Sequence, residues 1–271
     1  MTTPLWALAA GCVPDAAPWD IPRIAAAAGF LSSGMWVDPK TTWGPDALAK
    51  TQQALTDTGI VLVDVEVAWL ETHNRATDIQ KLIVDVGLAL GARNLLVVSR
   101  HEDYSASIDQ FRDLCERAGD GLRVCLEFGE FTQIKSLQAA NTFIDAVDHP
   151  SAGILIDLMH IARSHEPLPD LTASRFPYVQ ACDFLHSSTA MTGRDYIQAA
   201  VDDRYCLGDG EGDTKRLSLV RQTKIDVSLE IRSRALREAF PDPVDRAKAI
   251  FTRCNRASGV EAGIPFYQSS C

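Results

Sequence analysis

Three acidic side chains and one amide interrupt apolar runs between residues 124 and 233 of this sequence: Glu127 in VCLEFGE, Asp157 in ILIDLMH, Gln180 in YVQACDF and Glu230 in VSLEIRS. Amid residues that should be buried, an ionised carboxylate costs several kcal/mol unless it finds a cation, a partner or a proton. Three carboxylates brought together would repel one another. A divalent cation removes that conflict, with the carbonyl oxygen of Gln180 as a neutral fourth ligand. A donor set without thiolate or imidazole favours Mn²⁺ or Mg²⁺, with Co²⁺ as a workable substitute. Such a cation, holding a ketone oxygen and a neighbouring hydroxyl, acidifies the C–H between them. Returning the abstracted proton to the opposite face epimerises the substrate, returning it to the next carbon isomerises it, and expelling a β-hydroxyl dehydrates it. The base must reach that proton by a hydrogen bond, and the candidates are Glu230, Glu127 and His160.

Elements of strand length must bring these residues together. Apolar runs recur at Leu5 to Ala10, Phe30 to Val37, Ile60 to Trp69, Asn94 to Ser99, Arg123 to Phe128, Ala152 to Asp157, Tyr178 to Phe184 and Ile225 to Ile231. Between them lie segments of helical period: Gly44-Pro45-Asp46 to Gly59, Asn74 as a cap to Gly91, Ser105 to Gly119, Ser136 to Val147, Asp213 to Gln222 and Pro243 to Ser258. The proline-rich stretch His165 to Phe176 predicts only a short helix. Strands that are continuously apolar belong to parallel sheets covered on both faces. Eight βα units in about 250 residues match a closed (β/α)8 TIM barrel, so residues 1–271 read as a single α/β domain. The rival, a doubly wound open sheet, usually carries a Gly-rich phosphate loop after its first strand, and AAGCVPDAAPWD has no GxGxxG. In a barrel the chemistry sits at the C-terminal ends of the strands, where the four residues fall. The longest irregular stretch, Leu185 to Gly212, follows the seventh strand.

Composition narrows the partners. A net charge of -10 repels phosphate backbones and anionic headgroups, so neither nucleic acid nor a membrane surface is expected to bind. No stretch approaches the roughly 20 apolar residues of a membrane span. The seven cysteines show no CxxC pair and sit mostly in apolar runs, and the start lacks a basic n-region. The reading is a cytoplasmic protein. Its alanine-rich helices are compatible with a homodimer.

LEFGE, LIDLMHIARS, VQACDF, RYCLGDGEGD and SLEIRS together resemble the xylose isomerase-like superfamily of TIM barrels, the sugar phosphate isomerase/epimerase group. The resemblance implies that Glu127, Asp157 and Glu230 are metal ligands, that His160 of the D-x-x-H element contacts substrate, and that Arg204, ahead of the glycine-rich loop, does so too. The substrate it implies is a small polyhydroxylated carbonyl compound. The largest departure is Gln180, where sugar epimerases have a metal-binding histidine. Glutamine there resembles the dehydratase branch, which includes 3-dehydroshikimate and inosose dehydratases. The leading expectation is an isomerase or epimerase, the alternative a dehydratase.

Further candidates carry less. Glu66 on the third strand and His101 just past the fourth are read as lining the substrate cavity, although an ion pair would equally explain Glu66. Asp183 either fixes a ligand or caps the irregular segment after it, and LGDGEGD reads as a turn, its acidic residues arguing against a phosphate cradle. Trp6, Trp36 and Trp69 read as an apolar wall or plain core, and His186 lies in a loop overhanging the site. Two remote readings complete the set. An AP endonuclease of the same superfamily would need more histidines at strand ends and a basic face; a catalytically silent binding module would lack one of the ligand positions, and all are filled.

Overall fold

The computed structural model describes residues 5–212 and 214–257. Eight parallel strands close into a barrel in chain order: β1 (Trp6–Leu8), β2 (Ser32–Trp36), β3 (Val61–Leu70), β4 (Asn94–Ser99), β5 (Arg123–Glu127), β6 (Ala152–Asp157), β7 (Tyr178–Ala181) and β8 (Asp226–Leu229). The helices are α1 (Ile21–Ala28), α2 (Ala47–Thr58), α3 (Asp78–Leu90), α4 (Tyr104–Ala118), α5 (Leu137–Val147), α6 (Leu158–Arg163), α7 (Gly193–Val201), α8 (Thr214–Gln222), α9 (Arg234–Ala239) and α10 (Pro243–Ala257). This is the (β/α)8 architecture that the alternation of apolar runs predicts.

Local chemistry starts and stops these elements. Thr77 opens α3 through a capping box: its hydroxyl accepts from the Gln80 amide at 3.3 Å, and the Gln80 side chain accepts from the Thr77 amide at 2.6 Å. The expected cap, Asn74, lies outside that helix. Gly91, at φ 67°, ends α3 in the left-handed region, where a side chain would be strained. The same helix presses Gly87 onto the sheet so closely that a Cβ there would stand 2.9 Å from Val65 and 3.0 Å from Leu122.

Several elements depart from the sequence reading, the short helix α9 among them, which was not expected. Helix α1 was not expected, although IPRIAAAAG carries a proline in its first turn and ends on Gly29 at φ 97°; four of its eight residues are alanine, which leaves too few large side chains to show a period. The stretch from His165 to Phe176 contains no helix. The helix of the sixth unit is instead α6, which starts directly after β6 because Asp157 itself caps it. The long segment after β7 contains α7. The predicted helix boundaries at Asp213 and Ser258 lie outside the described residues, as does Cys271.

Two apolar layers result. The larger lies between sheet and helices; the smaller fills the barrel with Leu5, Ala7, Val63, Leu96, Val98, Cys125, Leu155 and Tyr178. Side chains alternate along a strand with a period of two, so residues two positions beyond Cys125, Leu155 and Tyr178 face inward as well. Those residues are Glu127, Asp157 and Gln180. The six described cysteines are all buried and free, as small core residues are. No helix among the described residues is long and apolar enough to cross a membrane.

Candidate active site

The C-terminal mouth of the barrel gathers the polar residues. Asp157 ends β6 and caps α6, its Oδ1 accepting from the amides of Met159 at 2.7 Å and His160 at 3.1 Å. That cap fixes the first turn of α6 and with it the His160 ring. The ring packs on Phe131, with centroids 5.1 Å apart, and directs Nε2 between two carboxylates, 3.5 Å from Glu127 Oε1 and 3.7 Å from Asp157 Oδ2. Neither distance is a hydrogen bond, and His160 Nε2 is buried without one. Ligand atoms of Glu127, Asp157 and His160 all lie within 4.8 Å of one another. Gln180, in register with Asp157 on β6 and Ser228 on β8, is fully buried, and both its amide oxygen and its amide nitrogen lack partners.

Arg204 occupies the other side of Asp157. Only 2% exposed, it donates from Nη1 to Asp157 Oδ2 at 2.7 Å, from Nε to the Ala200 carbonyl at 2.8 Å and from Nη1 to Cys182 Sγ at 3.3 Å. Its Nη2 stands 2.9 Å from Glu230 Oε2, an ion pair that lacks hydrogen-bond alignment. Of the four expected oxygen ligands, Glu127 and Asp157 therefore come together with His160, Gln180 presents a bare amide, and Glu230 pairs with Arg204. Arg204 itself faces carboxylates rather than open space.

Burial sets the protonation of these groups. It would raise Asp157, but the charges of Arg204 and His160, with the hydrogen bonds from Arg204 and the His160 amide, outweigh it and hold the carboxyl at about 2. Glu230 is pushed up to about 8: burial raises it most, Arg204 pulls against that, and the charges of Glu127 and Asp157 add to the rise. The difference follows from geometry, because Asp157 accepts aligned hydrogen bonds and Glu230 has only the misaligned pair.

Other residues divide between site and scaffold. Glu66 on β3 is buried, its Oε2 accepting from Trp36 Nε1 at 2.9 Å and its Oε1 bare. Asp64, two residues earlier, went unnoticed in the sequence. It is fully buried with both oxygens bare, and burial pushes it up to about 7. Its signal was present in VLVDVEVAW, where two acids break one apolar run. His101 holds the β4–α4 loop: Nε2 lies 3.1 Å from the His73 carbonyl and Nδ1 accepts from the Asp103 amide at 3.1 Å. It does not join the carboxylate group. Asp183 gathers the glycine-rich loop by accepting from the amides of Gly208, Gly210 and Gly212 at 3.0, 3.0 and 2.7 Å. Those N–H groups are thus turned to Asp183 and not to a phosphate. The His186 ring packs edge-on against Phe184, and its amide is bound by Glu211. Of the tryptophans, Trp6 is core, Trp36 binds Glu66, and Trp69 lies beneath Arg100 at 3.5 Å.

The donor set suits a divalent cation. Bare buried polar atoms cost about 1–3 kcal/mol each, so Gln180 and His160 are poorly satisfied unless something binds to them. Two carboxylates beside them supply the charge.

Comparison with known proteins identifies the family and the fold. Residues 22–253 match the family model of the xylose isomerase-like TIM barrel, and the chain belongs to that family. No curated protein matches the sequence. Among solved structures, a fusion protein of a xylose isomerase-like TIM barrel with 4-hydroxyphenylpyruvate dioxygenase superposes with a TM-score of 0.71 at 20% identity, covering 98% of this chain and 46% of that one. This chain thus spans less than half of the fusion protein. The IOLI protein with a bound zinc atom gives 0.69 at 12% identity over 93% of this chain and 99% of that one. The probable 3-DHS dehydratase AsbF of Bacillus anthracis gives 0.66 at 16% identity over 91% and 97%. At these identities the likeness is one of fold.

Proposed function

We propose that this protein is a divalent-metal-dependent enzyme that removes a proton next to the carbonyl of a small polyhydroxylated ketone. The observation that carries the reading is the buried group of Glu127, Asp157 and His160 beside the bare amide of Gln180 at the barrel mouth. Glu127, Asp157 and the amide oxygen of Gln180 would hold the cation, with Glu230 at the edge against Arg204. Bound there, a divalent ion supplies Lewis acidity that makes a C–H beside the carbonyl easier to deprotonate. His160 is left to move the proton, because its Nε2 has no partner and the ring is held by Phe131 and the α6 cap. Arg204 keeps Asp157 ionised and orients Glu230.

A dehydratase is the second reading, and the Arg204–Glu230 pair favours it. Epimerisation by two glutamates needs both Glu127 and Glu230 free to exchange protons with the substrate. Here one is engaged, which suits a single proton carrier: His160 takes the proton from carbon, and the β-hydroxyl leaves as water on being protonated.

The test is incubation of the purified protein with Mn²⁺ in D₂O against ketoses, inososes and 3-dehydroshikimate. Deuterium uptake without loss of water is the isomerase or epimerase outcome, and a new enone absorbance is the dehydratase outcome. With H160N, turnover should fall by about 10²-fold or more while Mn²⁺ affinity is kept. A fall in metal affinity alone would make His160 a ligand instead. No exchange on the whole panel with metal bound would refute the proposal.

A further inference from the structure

One cation at the mouth is not used by the chemistry above. Arg232 lies two residues past Glu230, where the chain leaves β8, and three features fix its side chain. Its stem rests on Gly11, in the loop after β1, so tightly that a Cβ at Gly11 would stand 2.7 Å from both Cγ and Cδ. Its guanidinium sits over the Trp36 ring at the end of β2, 5.1 Å from the centroid. Its backbone carbonyl accepts from the Arg204 amide at 3.0 Å. A side chain held at stem, head and backbone has given up most of its rotamer freedom before any ligand arrives.

The head nevertheless lacks a hydrogen-bond or ion-pair partner among the described residues. Nε is buried with no hydrogen bond, and no ion pair is found for Arg232 among the described residues. The charged groups facing it are Glu66 from β3, Glu230 from β8 and, beyond Glu230, Arg204. Glu66 is tied through Oε2 to Trp36, and Glu230 through Oε2 to Arg204. Arg204 is buried and paired with carboxylates, whereas Arg232 is partly exposed on the same side of the barrel. A planar guanidinium stacked on an aromatic face, with its donors free, is the arrangement that takes carboxylate or phosphate oxygens in pairs. The chain's overall negative charge would otherwise repel such ligands.

We infer that Arg232, laid over Trp36, anchors an oxyanion on the substrate, so that the site prefers polyhydroxylated carbonyl compounds bearing a carboxylate or phosphate over neutral ones. This rests on the proposed function and deepens it.

Binding, read by isothermal titration without turnover, tests it with two matched pairs: shikimate against its methyl ester, and ribose 5-phosphate against ribose. The wild type should bind at least one anion about ten-fold or more tightly than its neutral partner, and the pair that shows the difference tells carboxylate from phosphate. R232M keeps the stem on Gly11 and should erase the difference; R232K should keep part of it. G11A retains the charge but displaces the side chain, and should also weaken the anion. Neutral ligands should be unaffected by all of these variants. Equal binding of charged and neutral members, no binding of either anion, or an anion preference that survives R232M would overturn the inference. If charge-dependent binding persists in a protein that exchanges no deuterium with any substrate, the enzymatic reading falls and the anchor stands; exchange with equal binding of both members does the reverse.

Discussion

Gln180 offers a sharp test, because its two roles push stability and function in opposite directions. Both atoms of its amide are buried and unpartnered on β7. As a piece of scaffold, that amide is a defect. Replacing it by methionine, of similar length and volume, removes both bare atoms and leaves the space filled. Each unsatisfied group costs about 1–3 kcal/mol, part of which the thioether forgoes by adapting less well to the site, so Q180M should stabilise the metal-free protein by about 1–3 kcal/mol. For a domain of this size that is a rise of roughly 2–12 °C in the unfolding midpoint. The same variant should lose the stabilisation that Mn²⁺ confers on the wild type, since a thioether is a poor ligand for a hard cation. Differential scanning calorimetry with and without Mn²⁺, after treatment with a chelator, reads both effects at once. If Q180M is less stable than the wild type without metal, the amide has a partner and the burial argument is wrong. Should the Mn²⁺ shift survive intact, Gln180 is not a ligand.

Three further outcomes follow from the same geometry. R204M removes the cation between Asp157 and Glu230 and leaves buried carboxylates unpaired, which should cost about 3–5 kcal/mol; a loss under 1 kcal/mol in urea unfolding would mean that the pair is open to solvent. Asp64, pushed by burial to about 7 from an unfolded value near 4, carries its proton in the folded protein, so its contribution is intact below about pH 4 and declines as pH rises through 7. D64N should therefore match the wild type in acid and gain in relative stability between pH 4 and 7, levelling off above; a pH-independent difference would place Asp64 in water. G34A should destabilise by about 1–3 kcal/mol, because a Cβ there would overlap Asp64 Oδ1 and stand 3.1 Å from the Ala10 backbone nitrogen; a neutral effect in thermal unfolding would mean that Asp64 swings aside.

The sequence alone determined the barrel and the positions worth watching. Continuously apolar runs such as NLLVVS and AGILID have the length of strands covered on both faces, and eight of them alternating with helices match a parallel barrel. Glu127, Asp157 and Gln180 were legible because each interrupts such a run at an inward position, so that a polar side chain there demands a reason. What the side chains do with one another is decided across strands, by contacts distant in sequence. Arg204 lies 47 residues from Asp157, and nothing in the intervening chain announces that it will close on that carboxylate and Glu230 instead of facing the cavity. His160 enters the carboxylate group only because Asp157 caps α6 and turns its first residues inward. Asp64 was hidden by its neighbour Glu66, and Arg232 reads as an ordinary residue after a strand until Gly11 and Trp36, both from the N-terminal end of the chain, fold against it. Periodicity is a property of neighbours along the chain, whereas ion pairing and desolvation depend on distances that exist only once the barrel has closed.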